Sequence, residues 1–321
     1  LFFNWLIQTI QKESIDAVLV SGDIFDLANP SSEARKLYYE TLVRLSGMNC
    51  TVIITGGNHD SPSVLNAPKE ILKALNIHVI GGIPPNKEDM VIPLNKNNKE
   101  VAIAAIPFLR DSDLRQAAQD ESYQDRVETI KAGITKTFND AAEACERLHP
   151  DIPSIAMGHL FTLGVYTSES ERDVQIGNLA GYDPSEFNDY FNYYALGHIH
   201  QPQNLGNSSK LIYSGSPIPL SFTEKSNAKR VVIYDFSEET PKHKSIKIPE
   251  FRKLIRINGT YSEVYNTLMN FQPEKSQLPA LIEIEMTEEK EDPQKVTALE
   301  ELIDGFNHPN AKVVKHREHF K

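Results

Sequence analysis

Four apolar, β-branched runs in this chain each end in a short polar cluster. Asp16 to Val20 leads into Ser21-Gly22-Asp23 with Asp26, and Thr51 to Thr55 into Gly57-Asn58-His59-Asp60. Ile152 to Met157 leads into Gly158-His159, and Tyr193 to Leu196 into Gly197-His198 with His200. Runs of this composition predict buried strands, and in layered α/β folds the loops leaving the carboxyl ends of such strands are where ligands sit. Four strand ends are therefore expected to meet at one place. What they carry there is imidazole nitrogen, one amide oxygen and carboxylates, a mixed set that hard or borderline divalent ions such as Mn²⁺ accept. No thiolate joins them, which excludes zinc fingers and iron-sulfur clusters.

Taken singly, the clusters differ in weight. A Gly-Asp after a strand is a common turn, and His159 alone says little. The Gly57 tetrad is harder to explain by turn chemistry, because three consecutive polar side chains crowd one strand terminus. His198 and His200 flank Ile199, so on an extended segment both imidazoles share one face while the isoleucine points to the core. The other six histidines have no comparable context. Order and strand-end placement together read as a binuclear metal site for cutting phosphate esters.

Composition bounds the rest. The 321 residues exceed one average domain, and 40% hydrophobic with 24% charged content is ordinary for a globular chain able to bury a core. The longest nearly apolar run, Val101 to Leu109, contains Pro107 and falls far short of the roughly 20 residues that span a bilayer. No membrane association is expected. Two cysteines, Cys50 and Cys145, make no disulfide framework and fit a reducing cytoplasm. Cys145 and His149 lie four apart on a predicted helix, and two such groups without partners read as packing. The net charge of -11 weighs against strong non-specific binding to a nucleic-acid duplex, which is driven by basic residues. Arg110, Arg115 and Lys225 are the basic candidates for phosphate contacts near the signatures.

Along the chain, the first thirteen residues predict an amphipathic helix, with Leu1, Phe2, Trp5, Leu6 and Ile10 near a 3.6-residue spacing. Strands alternate with helices to about residue 150, and short strands dominate to Pro249, a mixed α/β layered arrangement. Helices are expected over 31–46, capped by Ser31, over 61–75, and over 121–148 on the surface. Residues 81–100 read as loops around a short strand. Ala34, Leu37, Tyr38 and Thr41 with Val64, Leu65, Ile71 and Leu72 form stripes that face either their own sheet or a second copy. After Pro249 a βαβαβ pattern runs through 251–257, 262–270, 281–286, 294–306 and 311–314. Domains are thus expected at 1–249 and 250–321.

Further segments sharpen the reading: Ile106-Pro107-Phe108-Leu109-Arg110, Gly158-His159-Leu160 running to Gly164, Ala195 to His200, and the distinctive Ser214-Gly215-Ser216-Pro217-Ile218-Pro219-Leu220-Ser221-Phe222. With the four signatures, this set resembles the calcineurin-like metallophosphoesterase superfamily, and more narrowly its SbcD-type exonuclease subunits. The resemblance covers residues 1 to about 250. It implies an α/β fold, a layered β-sandwich flanked by helices, with a small α+β capping domain at 250–321. It implies two Mn²⁺ ions, with Mg²⁺ as the substitute: Asp23 bridging, Asn58, His159 and His198 on one ion, and His200 on the other. His59 would protonate or stabilise the departing 3′ oxygen, with Asp60 orienting its imidazole and Asp26 nearby. The implied function is a 3′-5′ double-strand exonuclease and single-strand endonuclease in DNA repair. The implied partners are DNA, an SbcC-type SMC-like ATPase, and a second copy docked through helices 31–46 and 61–75.

One departure matters. The superfamily pattern opens with an Asp-x-His motif on its first strand, and no Asp-x-His occurs in these 321 residues. A few tens of residues are expected to precede Leu1, and an ATPase-docking segment to follow Lys321. The ion that relies on His200 then keeps two ligands, against four for the other, so the chain is expected to hold one ion tightly and to cleave little. Two further readings stand beside the nuclease. One is a small-molecule phosphatase or phosphodiesterase, against which the Ser214 to Phe222 segment and the capping domain argue. The other is a catalytically silent, dimeric scaffold that tethers DNA ends.

Overall fold

A computed structural model describes residues 1–320 except 97–98, 115–121, 173, 175–180, 207, 226–227, 239, 273 and 275. By its contacts the chain forms two compact units: Phe2–Pro217 with Ala228–Lys247, and Ile218–Asn227 with Ile248–Lys321 and Leu1.

The larger unit begins α1 (Phe2–Glu13), β1 (Ala17–Ser21), α2 (Ser32–Ser46), β2 (Thr51–Thr55), α3 (Pro62–Asn66), α4 (Lys69–Ala74) and β3 (Ile77–Ile80). It continues with β4 (Val91–Lys96), β5 (Lys99–Ala105), α5 (Asp111–Leu114), α6 (Tyr123–Leu148), β6 (Ser154–His159) and β7 (Tyr193–Gly197). It closes with β8 (Gln203–Asn204), β9 (Leu211–Tyr213), β10 (Arg230–Asp235) and β11 (Lys242–Lys247). Strands β1-β2-β3 make a parallel sheet, and β4-β5-β6-β7-β9-β8 make a mixed one.

The two sheets pack face to face. Ile53 of the small sheet shares one cluster with Ile103, Ala105, Ile155, Met157 and Tyr193 of the large sheet. The outer face of the small sheet is covered by α1 to α4 through Ile10, Leu42, Leu45, Leu65 and Leu72. The outer face of the large sheet is covered by α6 through Val127, Ile130, Ile134 and Phe138. This is the layered sandwich flanked by helices that the sequence predicts. Because β2 and β6 are buried on both faces, they read as continuous apolar runs rather than alternating ones.

Local chemistry explains the element ends. The Ser31 side chain accepts from the Ala34 N–H, and Ser122 with Asp125 forms a reciprocal capping box on α6. The expected single helix over 61–75 is instead two short ones. Pro68 sits between them: Ala67 keeps helical backbone, but Pro68 lacks the N–H a continuous helix needs and itself leaves the helical region. The helix at 121–148 is also less superficial than expected, since one whole stripe of α6 is core. The region 81–100 holds more strand than expected, with β4 paired antiparallel to β5.

The second unit carries β12 (Leu254–Gly259), α7 (Tyr261–Met269), β13 (Ala280–Glu288), α8 (Pro293–Gly305) and β14 (Ala311–Phe320). Its three strands are parallel and adjacent in chain order, the arrangement that two βαβ crossovers produce. Val264, Leu268 and Leu299 of the helices pack on Ile257, Ile282, Ile284 and Met286.

Candidate metal centre

The four polar clusters sit at the carboxyl ends of β1, β2, β6 and β7, two strands from each sheet of the sandwich. Getting two sheets this close at one edge requires backbone without side chains. A Cβ on Gly197 would lie 1.8 Å from the Ser21 carbonyl oxygen, and one on Gly22 would lie 2.2 Å from His159 Nδ1. Ser21 Oγ donates to the Ala195 carbonyl at 2.8 Å and ties β1 to β7 at the same point. Asp23 and His198 themselves adopt left-handed backbone, with φ of 52° and 100°. Such conformations cost on the order of 1–3 kcal/mol for side-chain-bearing residues and persist where the surroundings hold them.

The side chains converge. Asp23, His159 and His198 place ligand atoms within 4.8 Å of one another. Asn58 Oδ1 lies 2.9 Å from His159 Nε2 and 3.2 Å from His198 Nδ1, and Asp23 Oδ2 lies 3.2 Å from His159 Nε2. Neighbouring ligands of an octahedral ion with bonds of about 2.1 Å are about 3.0 Å apart, so these separations suit one divalent cation. His159 Nδ1 donates to the Ser21 carbonyl at 2.9 Å, which turns Nε2 toward Asp23 and Asn58.

The electrostatics suit the same ion. Burial opposes the charged form of Asp23, but His159 and the backbone N–H of His59 at 3.0 Å hold its carboxyl well below the usual range. Burial, reinforced by His159, pushes His198 down to about 3, so its imidazole is neutral and able to ligate. His159 is the exception: burial opposes its charged form, but the Asp23 carboxylate raises it. The residues present fit a divalent metal, since the cluster holds a fixed negative charge with nitrogen and oxygen donors around it. Cys145 and His149 make no such set, because Cys145 is buried in the core and its thiol is pushed up to about 12 by burial.

His59 stands beside this cluster, with Nε2 3.9 Å from Asp23 Oδ2. Its orienting partner differs from expectation. The Asp60 carboxylate accepts three backbone N–H groups, from Gly57 at 2.8 Å and from Ile24 and Phe25 at 3.0 Å each. Asp60 thus pins the loop after β2 to the loop after β1. The imidazole of His59 is held instead by Asp26, whose carbonyl accepts from Nδ1 at 2.9 Å. Three of the roughly four acceptor sites of the carboxylate are turned to backbone donors, so Asp60 faces the loops rather than the ring, which is the physical reason for the change.

His200 is not drawn into the four-residue cluster. Its Nδ1 meets Ser170 Oγ at 2.6 Å, and its backbone N–H donates to Glu171 at 2.8 Å. Arg110 donates to the Asp60 carbonyl at 3.1 Å, Arg115 lies outside the described residues, and Lys225 belongs to the second unit. Ser170, Glu171 and Arg172 carry no signal that sequence reasoning detects. They lie in an irregular polar stretch with no strand before it, so neither periodicity nor a motif marks them.

Comparison with known proteins agrees with the geometry. The calcineurin-like phosphoesterase family matches residues 2–202. The SbcD component of the SbcCD nuclease of Escherichia coli K12 is 32% identical over 289 residues, spanning 89% of this chain and 72% of that protein. The component of the same name from Rhodobacter capsulatus is 33% identical over 78% of this chain and 64% of its own length. That from Bacillus subtilis is 29% identical over 81% and 66% respectively. With four strand ends building a cation site and both kinds of match covering most of the chain, the chain belongs to the calcineurin-like phosphoesterase family, as a metal-dependent phosphodiesterase of the SbcD nuclease type.

Proposed function

We propose that the chain is the nuclease subunit of an SbcCD-type DNA repair complex, acting on DNA phosphodiesters with two Mn²⁺ ions and an SbcC-type ATPase partner. The observation that carries this reading is the convergence of Asp23, Asn58, His159 and His198 from two sheets on one locus. These four would hold one ion, and Asp23 with His200 would serve the other. When bound, the cations lower the pKa of a water and neutralise charge on the attacked phosphate. The chain's own part is positioning. Asp60 locks the two loops together, and Asp26 fixes the His59 ring so that Nε2, the nitrogen it does not hold, faces the cluster. From there His59 delivers a proton to the departing 3′ oxygen.

The finer features of the reading are 3′-5′ exonuclease action on duplex ends, endonuclease action on single strands, and a capping role for residues 250–321. A second copy would dock on the outer face of α2 and α4, where Leu37, Val43 and Ile71 are 51%, 63% and 72% exposed. Tyr38, Thr41, Leu65 and Leu72 do not belong to that face, because they pack toward their own sheet or are buried. Both cysteines are free and buried, which suits the reducing cytoplasm. Among the described residues no helix is long and apolar enough to cross a membrane.

Calorimetric titration with Mn²⁺ and digestion of end-labelled linear duplex DNA test the reading together. One tight ion per chain and slow, Mn²⁺-dependent release of nucleotides from 3′ ends are expected. Hydrolysis of a chromogenic phosphodiester with no cutting of duplex DNA would replace it with a small-molecule phosphodiesterase.

A further inference from the structure

We infer that Arg172 is a positioning residue for His59: its guanidinium binds Asp26 at both carbonyl and carboxylate, and so keeps the carbonyl as the partner of the ring. The inference rests on the proposed role of His59 as the acid at the departing 3′ oxygen and adds the group that prepares it.

The loop after β1 shows why such a group is needed. Asp60 accepts the backbone N–H groups of Ile24 and Phe25, and the Phe25 side chain is buried, so the loop is pinned as far as Phe25. Asp26 is the next residue, it belongs to no helix or strand, and its side chain is 83% exposed. Yet its carbonyl is what the His59 ring donates to from Nδ1, at 2.9 Å. A carbonyl oxygen only accepts, so this bond places a proton on Nδ1 and leaves Nε2 facing the cluster, 3.9 Å from Asp23 Oδ2.

Asp26 also offers a rival acceptor. Its carboxylate Oδ1 lies 3.3 Å from the same Nδ1. Hydrogen bonds to an ionised acceptor are roughly twice as strong as neutral ones, so an unengaged carboxylate would draw the ring away from the carbonyl. Arg172 Nη2 donates to the carbonyl at 3.1 Å and to Oδ1 at 3.2 Å, from 146 positions further along the chain. It occupies the carboxylate and fixes the carbonyl together. The Arg172 side chain is 51% exposed, so as an ion pair it adds little to stability. Its contribution is geometric, since a reacting group displaced by about 1 Å can lose about 10²-fold in rate.

Long-range ¹H–¹⁵N spectra of the metal-free, ¹⁵N-histidine-labelled protein read the ring directly. His59 is expected to show a protonated Nδ1, whose resonance shifts in Arg172→Ala as the carboxylate takes the ring. That shift should shrink in an Asp26→Ala background, which has no carboxylate to take it. An unprotonated Nδ1 in the unmodified protein overturns the inference. So does a resonance that Arg172→Ala leaves in place, or a shift undiminished in the Asp26→Ala background. With Mn²⁺ bound, Arg172→Ala should lower kcat about tenfold more on DNA than on a nitrophenyl phosphodiester, whose leaving group departs without a proton. KM for DNA and Mn²⁺ affinity should not move. Equal losses on the two substrates, or a loss confined to KM, would overturn the inference by making Arg172 a structural or phosphate-binding residue. The spectra need neither metal nor DNA, so failure of the unmodified protein to cut DNA would count against the nuclease reading alone.

Discussion

Asp23 and Glu283 are both charge-compensated beside basic groups, and of the two only Asp23 belongs to the candidate metal site. Asp23 lies among His159, His198 and Asn58, and the basic group beside it is the His159 imidazole, whose charged form it favours. Glu283, on the face of the three-stranded sheet opposite its helices, is 0% exposed and pairs with Arg256 at 2.6 Å and Lys315 at 2.9 Å. Those two cations hold its carboxyl below the usual range against the opposing effect of burial. The difference lies in whether the compensating charge can leave. An imidazole gives up its proton near neutral pH and becomes a ligand, whereas a guanidinium or ammonium stays charged and excludes a metal. A buried carboxylate is therefore informative about function through the kind of cation beside it.

The strongest attack on that contrast is His59→Ala. It should lower DNA cleavage by about 10³-fold, the range of a lost general acid, while Mn²⁺ titration still shows the tight ion. Equal loss of metal and activity would make His59 a ligand and break the division of roles. Next comes His198→Ala, which removes a donor from the cluster itself and should weaken Mn²⁺ binding by about 100-fold or more. Unchanged calorimetry would show that the Asp23 cluster is compensated internally, as Glu283 is.

Glu283→Gln probes the other side. It leaves Arg256 and Lys315 without their carboxylate and should cost about 2 kcal/mol in chemical denaturation, discounted from a fully buried pair because Lys315 is partly exposed. Mn²⁺ affinity should not move. The smallest effect is the pH dependence. A proton must leave His159 before a cation takes its place, and the pKa of that group is raised in the metal-free protein. Affinity should therefore rise with pH through this elevated value, and fall about tenfold per unit below it, with one proton released per ion bound. A flat profile from the ordinary imidazole value of about 6.5 upward would mean that His159 is already neutral.

Much of this is legible without coordinates. Buried parallel strands announce themselves as apolar runs, and polar residues that follow them have little structural reason to be there, so Asp23, Asn58, His159 and His198 can be named and the sandwich anticipated. The βαβαβ order of the second unit is equally plain, because capping residues such as Thr260 and Asp292 mark helix starts locally. Pro68 is a local signal too, but the apolar stripe running past it from Val64 to Leu72 reads as one helix, and there the proline wins.

What tertiary structure alone decided is who holds whom. Asp60 sits next to His59 in the chain yet two of its three backbone donors lie some 35 positions away, and His59 finds Asp26 across a similar gap. The His200 ring meets Ser170 from 30 positions upstream. On α2 and α4, the split between stripes that face the sheet and stripes left bare depends on where the sheet lies. Periodicity and motif describe what one segment can do by itself, because they arise from backbone geometry repeated over a few residues. Partnerships across loops arise from where closed backbone paths happen to meet, and that is set by the packing of two sheets rather than by any residue's neighbours in sequence.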